Sequence, residues 1–130
     1  MNVAHREVEG IEILDLRGRL TAGTESGTLS KAITRLVSEG KSNLILNLKH
    51  VDFLDSSGLG MLVVCFAAIQ QQGGILKLTN VSRRHMELLI LTKLTAVLEL
   101  FDNERDAVNS FFPERPLKRF EVREYAPTEQ

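Results

Sequence analysis

Apolar positions along the chain fall into short runs that switch repeatedly between the two-residue period of a strand and the three-to-four-residue period of a helix. Val3 to Val8 and Ile11 to Leu16 are β-type runs separated by Glu9-Gly10, where the glycine permits a tight reversal, so the spacing predicts a hairpin. A polar, small-residue stretch from Thr21 to Gly27 follows Gly18. Leu29, Ala32, Ile33, Leu36 and Val37 then recur on one helical face, with Gly40 placed to end the helix. Leu44-Ile45-Leu46 and Leu48 form a nearly continuous apolar run, as a central strand needs when both of its faces are covered. Leu59 to Ile69 are apolar almost all round, which predicts a helix that is buried or covered by a partner, ended by Gln70-Gln71-Gln72-Gly73-Gly74.

The alternation then repeats twice. Ile75-Leu76-Lys77-Leu78 reads as a strand, and Ser82 as the N-cap of a helix carrying Met86, Leu89, Ile90 and Leu94. Val97 to Phe101 reads as another strand, and Glu104 to Phe111 as a final helix with Ala107, Val108 and Phe111 turned inward. The order β-β-α-β-α-β-α-β-α predicts a single α/β domain over residues 1–112, built on a mixed, mainly parallel sheet of about five strands with packed helices. Helical crossovers join parallel neighbours, and the opening hairpin adds an antiparallel edge. Pro113 and Pro116 stop the last helix. Residues 113–130 are charge-rich and read as a solvated tail, although the alternation around Phe120 and Val122 would also suit a strand added to an exposed sheet edge.

Composition narrows the function classes. At 130 residues the chain can bury enough apolar surface for one core without disulfides or metal. Its formal charge of −1, with acidic and basic residues interleaved, offers no broad footprint for nucleic acid or anionic membrane. The basic residues Arg115, Lys118, Arg119 and Arg123 are interrupted by Glu114, Glu121 and Glu124, so the tail does not read as a nucleic-acid arm. Cys65 lies inside the run Met61 to Ile69 and reads as a small buried hydrophobe in a reducing compartment. That run is shorter than the roughly 20 apolar residues that span a bilayer, and Met1 to Arg6 lack a signal-peptide core. The expectation is a cytoplasmic protein that does not insert into membranes.

Candidate chemistry concentrates at Val51-Asp52-Phe53-Leu54-Asp55-Ser56-Ser57-Gly58-Leu59-Gly60, a strand-to-helix junction. Such junctions expose backbone donors at the carboxyl edge of a sheet. Asp55, Ser56 and Ser57 are all good N-cap residues, so helix capping explains one of the three. Two serines beside an acid, followed by Gly58 and Gly60, also fit an anion site, or a modification and docking site that another surface approaches closely. A phosphoserine here would add about −1.5 to −2 charges, which the helix N-terminus tolerates, beside Asp55 and Asp52.

The segment Asp55-Ser56-Ser57-Gly58-Leu59-Gly60, preceded by the strand Leu44 to Leu48, resembles the anti-sigma factor antagonists and their wider STAS domain family, over roughly Val3 to Phe112. The resemblance implies a non-enzymatic partner switch without a cofactor of its own, since the ATP belongs to a kinase. Unphosphorylated, such a domain binds an anti-sigma factor that is itself a serine kinase and thereby frees a sigma factor. Phosphorylation at the position matching Ser56 breaks the complex, and a serine phosphatase resets it; Ser57 is the lesser choice of acceptor. The junction motif predicts that Asp55, Ser56, Ser57, Gly58, Leu59, Met61 and Leu62 form or support the partner-binding surface, in a monomer or weak homodimer. One departure is present: these antagonists often carry an acidic residue in the turn before the first helix, where this chain has Gly18-Arg19-Leu20-Thr21.

Rival chemistries fit less well. A nucleophile elbow of the form G-x-S-x-G fails because Leu54 stands where the first glycine should, and no spacing links His50 or His85 to Ser56 through an orienting acid. His85, at the start of its helix, is expected to be solvated. Gly58-Leu59-Gly60 begins like a dinucleotide loop, but Val63 occupies the third glycine position. His5, His50 and His85 lack the close pairing of common zinc sites. Within the binding-module class, the alternative is a docking subunit of a membrane transporter or lipid-transfer complex, which uses the same helix without phosphorylation.

Overall fold

The computed structural model describes residues 1–21 and 24–115, apart from the side chains of residues 24–26. Ala22, Gly23 and the tail from residue 116 onward, including the strand suggested around Phe120, lie outside the described residues. The elements are β1 (Asn2–Val8), β2 (Ile11–Leu20), α1 (Thr24–Ser38), β3 (Asn43–Leu54), α2 (Ser56–Gln71), β4 (Ile75–Thr79), α3 (Arg83–Leu91), β5 (Glu99–Phe101) and α4 (Glu104–Asn109). This is the predicted β-β-α-β-α-β-α-β-α order, and the five strands lie side by side in the order β1-β2-β3-β4-β5. The pair β1–β2 is antiparallel, and the remaining three pairs are parallel.

The hairpin closes through Glu9 and Gly10, both with positive φ (53° and 84°), while Val8 pairs with Ile11. Two successive left-handed residues match the right-handed twist of the flanking strands. Glu9 accepts that conformation although it is not a glycine, and its carboxylate receives the Arg115 guanidinium at 2.7 Å.

Crossovers of one hand between successive parallel neighbours place their helices on one face of the sheet. Accordingly Leu29, Ile33 and Leu36 of α1, Leu59, Leu62, Cys65 and Ile69 of α2, and Met86 and Leu89 of α3 share one core with Leu44, Leu46 and Leu48 of β3. Ile45 points the other way, into a smaller cluster with Ile11, Ile13, Phe101 and the α4 residues Ala107 and Val108. The near-continuous apolar run in β3 therefore has the predicted cause, a packed layer on each face. Beyond α4 the second face is polar. Arg6 there bridges Asp15 and Glu104, and Asn47 donates to Asp15 at 2.8 Å while accepting from Asn80 at 3.0 Å.

Several boundaries differ from those the sequence predicts. Strand β2 continues past Leu16 to Leu20, and β3 past Leu48 to Leu54, where Gly18 pairs with Val51 and Leu20 with Leu54. Register shifts at Asp15/Arg17 and Gly18/Arg19 break the two-residue period and hide both extensions from a pattern reading. Gly18-Arg19-Leu20 is therefore strand, not the turn before the first helix. Helix α3 ends at Leu91, so Leu94 lies beyond it in a 3₁₀ turn spanning Leu94–Ala96. Strand β5 begins only at Glu99, and α4 closes at Asn109, before Phe111.

Candidate functional site

The long β3 ends on Leu54, and Asp55 is the N-cap of α2. Its backbone is extended, and its side chain turns back over the first turn, where Oδ1 accepts from the Gly58 amide at 2.9 Å and from the Ser57 hydroxyl at 2.6 Å. These bonds hold the carboxyl below the usual carboxylate range, the Ser57 hydroxyl first and the Gly58 amide second, so Asp55 is ionised. Of the three possible caps, Asp55 alone caps. Ser57 commits its hydroxyl proton to that cap. Ser56 is exposed at the first helical position, and its hydroxyl has no hydrogen bond among the described residues.

Gly58 and Gly60 divide the role that the sequence assigns to them jointly. Gly58 is buried, and a Cβ there would collide with the Leu20 carbonyl oxygen, with Leu20 C at 2.8 Å and Leu54 Cδ1 at 3.0 Å. The surface that approaches Gly58 closely is the end of β2, not another molecule. Gly60 is exposed with no heavy atom within 4 Å of a Cβ built there, so it leaves the outer side of the helix open.

The residues assigned to partner binding fall into two layers. Leu59 and Leu62 belong to the core and fix the helix from beneath, whereas Met61 is half-buried. The outer face carries Gly60, Val63, Val64 and Ala67, with Val64 61% exposed. Helix α2 is thus buried along one side only, and its apolar outer side explains why the sequence reads as apolar all round. Cys65 is buried as expected, and desolvation pushes its thiol up to about 11, which leaves it protonated.

His85 departs from the expectation of a solvated helix-start histidine. It is only 3% exposed, and neither ring nitrogen has a hydrogen-bond partner among the described residues. Its backbone amide is what meets the cap, donating to Ser82 Oγ at 3.2 Å. Desolvation, with Arg84 adding to it and Asp52 opposing, holds the imidazole below its ordinary range. The following turn of α3 supplies Leu88 and Leu91, which line a groove with Phe53 and Leu54 beside the junction. The predicted apolar face of this helix, Met86, Leu89, Ile90 and Leu94, omits Leu91, whose side chain is exposed, so pattern reading passes over this groove. His50 is exposed on β3 and has no contact that would make it a base for Ser56.

With the geometry in place, comparison with known proteins gives the family. The sequence profile of the STAS domain matches residues 2–107, and the chain belongs to that family. A curated relative, the anti-sigma F factor antagonist of Paenibacillus polymyxa, is 31% identical over 102 residues, covering 76% of this chain and 85% of the relative. Among solved structures, the Bacillus cell fate determinant SpoIIAA in its phosphorylated form superposes with a TM-score of 0.65 at 18% identity. That match covers 85% of this chain and 99% of the other. A murine anion transporter, solute carrier 26 family member A9, matches with a TM-score of 0.66 at 21% identity, over 79% of this chain but 18% of the transporter. At these identities the two structures speak for the fold. Among the described residues, no helix is long and apolar enough to cross a membrane.

Proposed function

We propose that this protein is an anti-sigma factor antagonist, a cytoplasmic partner switch controlled by phosphorylation of Ser56. The observation that carries the reading is the division of labour at the junction. Asp55 caps α2, Ser57 is tied to Asp55, and Ser56 presents an exposed hydroxyl on the helix N-terminus with no hydrogen bond among the described residues. The name of the curated relative supports the general role, and the phosphorylated state of SpoIIAA supports the class of modification.

The mechanism follows from charge and burial. Unmodified, the outer face of α2 and the junction offer a flat, apolar docking surface to an anti-sigma factor serine kinase, whose capture releases its sigma factor. Phosphate on Ser56 is tolerated by the fold because the first-turn amides and the helix dipole favour an anion there. It sits beside the ionised Asp55, so the surface becomes strongly anionic and no longer packs against the kinase. Ser56 supplies a hydroxyl and performs no catalysis; transfer belongs to the kinase and removal to a serine phosphatase. The alternative of constitutive docking to a transporter would use Val63 and Val64 but would leave the free hydroxyl of Ser56 without a role.

The test is a binding titration of wild type and Ser56→Asp against an anti-sigma factor serine kinase from the same genome, with melting curves alongside. The expected result is an unchanged melting temperature and affinity weakened by about tenfold or more, as for a charge placed in a packed interface. Unchanged affinity, or loss of the fold, would count against a surface switch.

A further inference from the structure

We propose that residues 117–123 of this same chain add a sixth strand to the free edge of β1, running antiparallel to it from the hairpin turn toward Asn2. The reading is independent of the switch at Ser56. Among the described residues the sheet has two open edges, β1 and β5. The β5 edge is three residues long, whereas β1 offers seven, and a strand of that length leaves a row of unpaired backbone groups that folded proteins cover or blunt. Val8 pairs with Ile11 across the two-residue turn, so in the antiparallel ladder the even-numbered residues of β1 bond to β2, while the amides and carbonyls of Val3, His5 and Glu7 point outward.

The path of the chain after α4 selects the occupant. Phe111 and Phe112 pack with Val8 against the cluster under α4. Arg115 then stacks on Phe112, with its guanidinium carbon 4.1 Å from the ring centroid, and bonds Glu9 at 2.7 and 3.2 Å and Asn109 at 3.0 Å. The chain is thereby held at the turn that ends β1, and Pro116, which has no N–H to leave unpaired, begins the next segment. Seven paired residues span about 23 Å. Leu117 to Arg123 supply seven, without a glycine or proline among them.

One register satisfies both faces. With Leu117 opposite Val8, Lys118 falls against Glu7, Phe120 against His5 and Val122 against Val3. Val3 is half-buried on the core side of the sheet, at a groove of about 310 Å³ that it lines with Thr28, Lys31, Ala32 and Arg35 of α1. Val122 extends the apolar contact of Val3 over Ala32, and Glu124, two residues further along the same face, meets Lys31 and Arg35. Arg119 falls beside Arg6, whose partners Asp15 and Glu104 give that spot a net negative charge. A slip of one residue would instead turn Phe120 and Val122 to the polar face, against Arg6 and Ala4.

The experiment uses the full chain. By hydrogen exchange, the amides of Val3, His5 and Glu7 should exchange at least about tenfold more slowly in wild type than in a variant carrying Phe120→Pro and Val122→Pro, which removes two of the donors that the edge would accept. Equal exchange would overturn the strand. A second measurement fixes register and source. Ala4→Cys with Glu121→Cys places two thiols at a close, non-hydrogen-bonded pair and should oxidise to an intrachain disulfide about tenfold faster than Ala4→Cys with Phe120→Cys, whose side chains point to opposite faces. Cys65 is buried and takes no part. Equal rates would overturn the pairing, and disulfides that join two chains would show the edge to be filled by a second copy, which overturns the assignment to this chain's own tail.

Discussion

Two parallel strands of this sheet hand over to helices at the same edge, and the two junctions are built in opposite ways. At β3–α2 the cap is an acid, its carboxylate satisfied twice over, and the buried position is a glycine that lets β2 pack against the helix backbone. At β4–α3 the cap is a serine, the first turn is Arg83-Arg84-His85, and the buried position is an imidazole without a hydrogen-bond partner among the described residues. The first junction leaves its free polar atom, the Ser56 hydroxyl, outside; the second leaves its free polar atoms inside, on the wall of a groove. Only the first can be reached from outside: the Ser56 hydroxyl is exposed, whereas both ring nitrogens of His85 are sealed from solvent.

The contrast breaks most visibly at Gly58. Gly58→Val drives a branched side chain into the Leu20 carbonyl and Leu54, and should cost about 1–3 kcal/mol of stability through overpacking. Gly60→Ala, two positions on, meets nothing within 4 Å and should leave stability unchanged or raise it by about 0.5–1 kcal/mol. Chemical denaturation of the two variants checks the pair, and equal losses would refute the assignment of Gly58 to packing and Gly60 to access.

A smaller effect separates the junctions by pH. The folded state holds His85 below its ordinary value of 6.5, so unfolding takes up a proton, and the stability this contributes is present above 6.5 and lost as pH falls below it. The carboxylate of Asp55 is shifted down from 3.8 and keeps its contribution until far lower pH. Between about pH 7.5 and about pH 5.5 the melting temperature of wild type should therefore fall more than that of His85→Leu. Parallel curves would mean that the buried imidazole is not what the acid range reaches.

Much of this architecture was legible because periodicity records burial. The two-sided apolar run of β3 and the one-sided stripe of α1 both foretell their layers. What stayed hidden was long-range. The extension of β2 and β3 passes through bulges that scramble the alternation, so neither Leu20 nor its contact with Gly58 follows from local pattern. The junction itself was readable as a place, since three capping residues in a row stand out. Its division of labour was not, because Asp55, Ser56 and Ser57 have equal claims to the cap until geometry assigns it. His85 departs from its expected state for a related reason: position at a helix start predicts solvation only when that turn faces solvent, and here the imidazole is 3% exposed.

The central claim is that Ser56 is the residue on which the switch turns. Incubation of the purified chain with an anti-sigma factor serine kinase from the same genome and ATP, followed by phosphopeptide mapping, addresses it most directly. One phosphate on Ser56 of wild type, and none on Ser56→Ala, is the expected result. Equal labelling of the variant, or label mapped to Ser57, would contradict it.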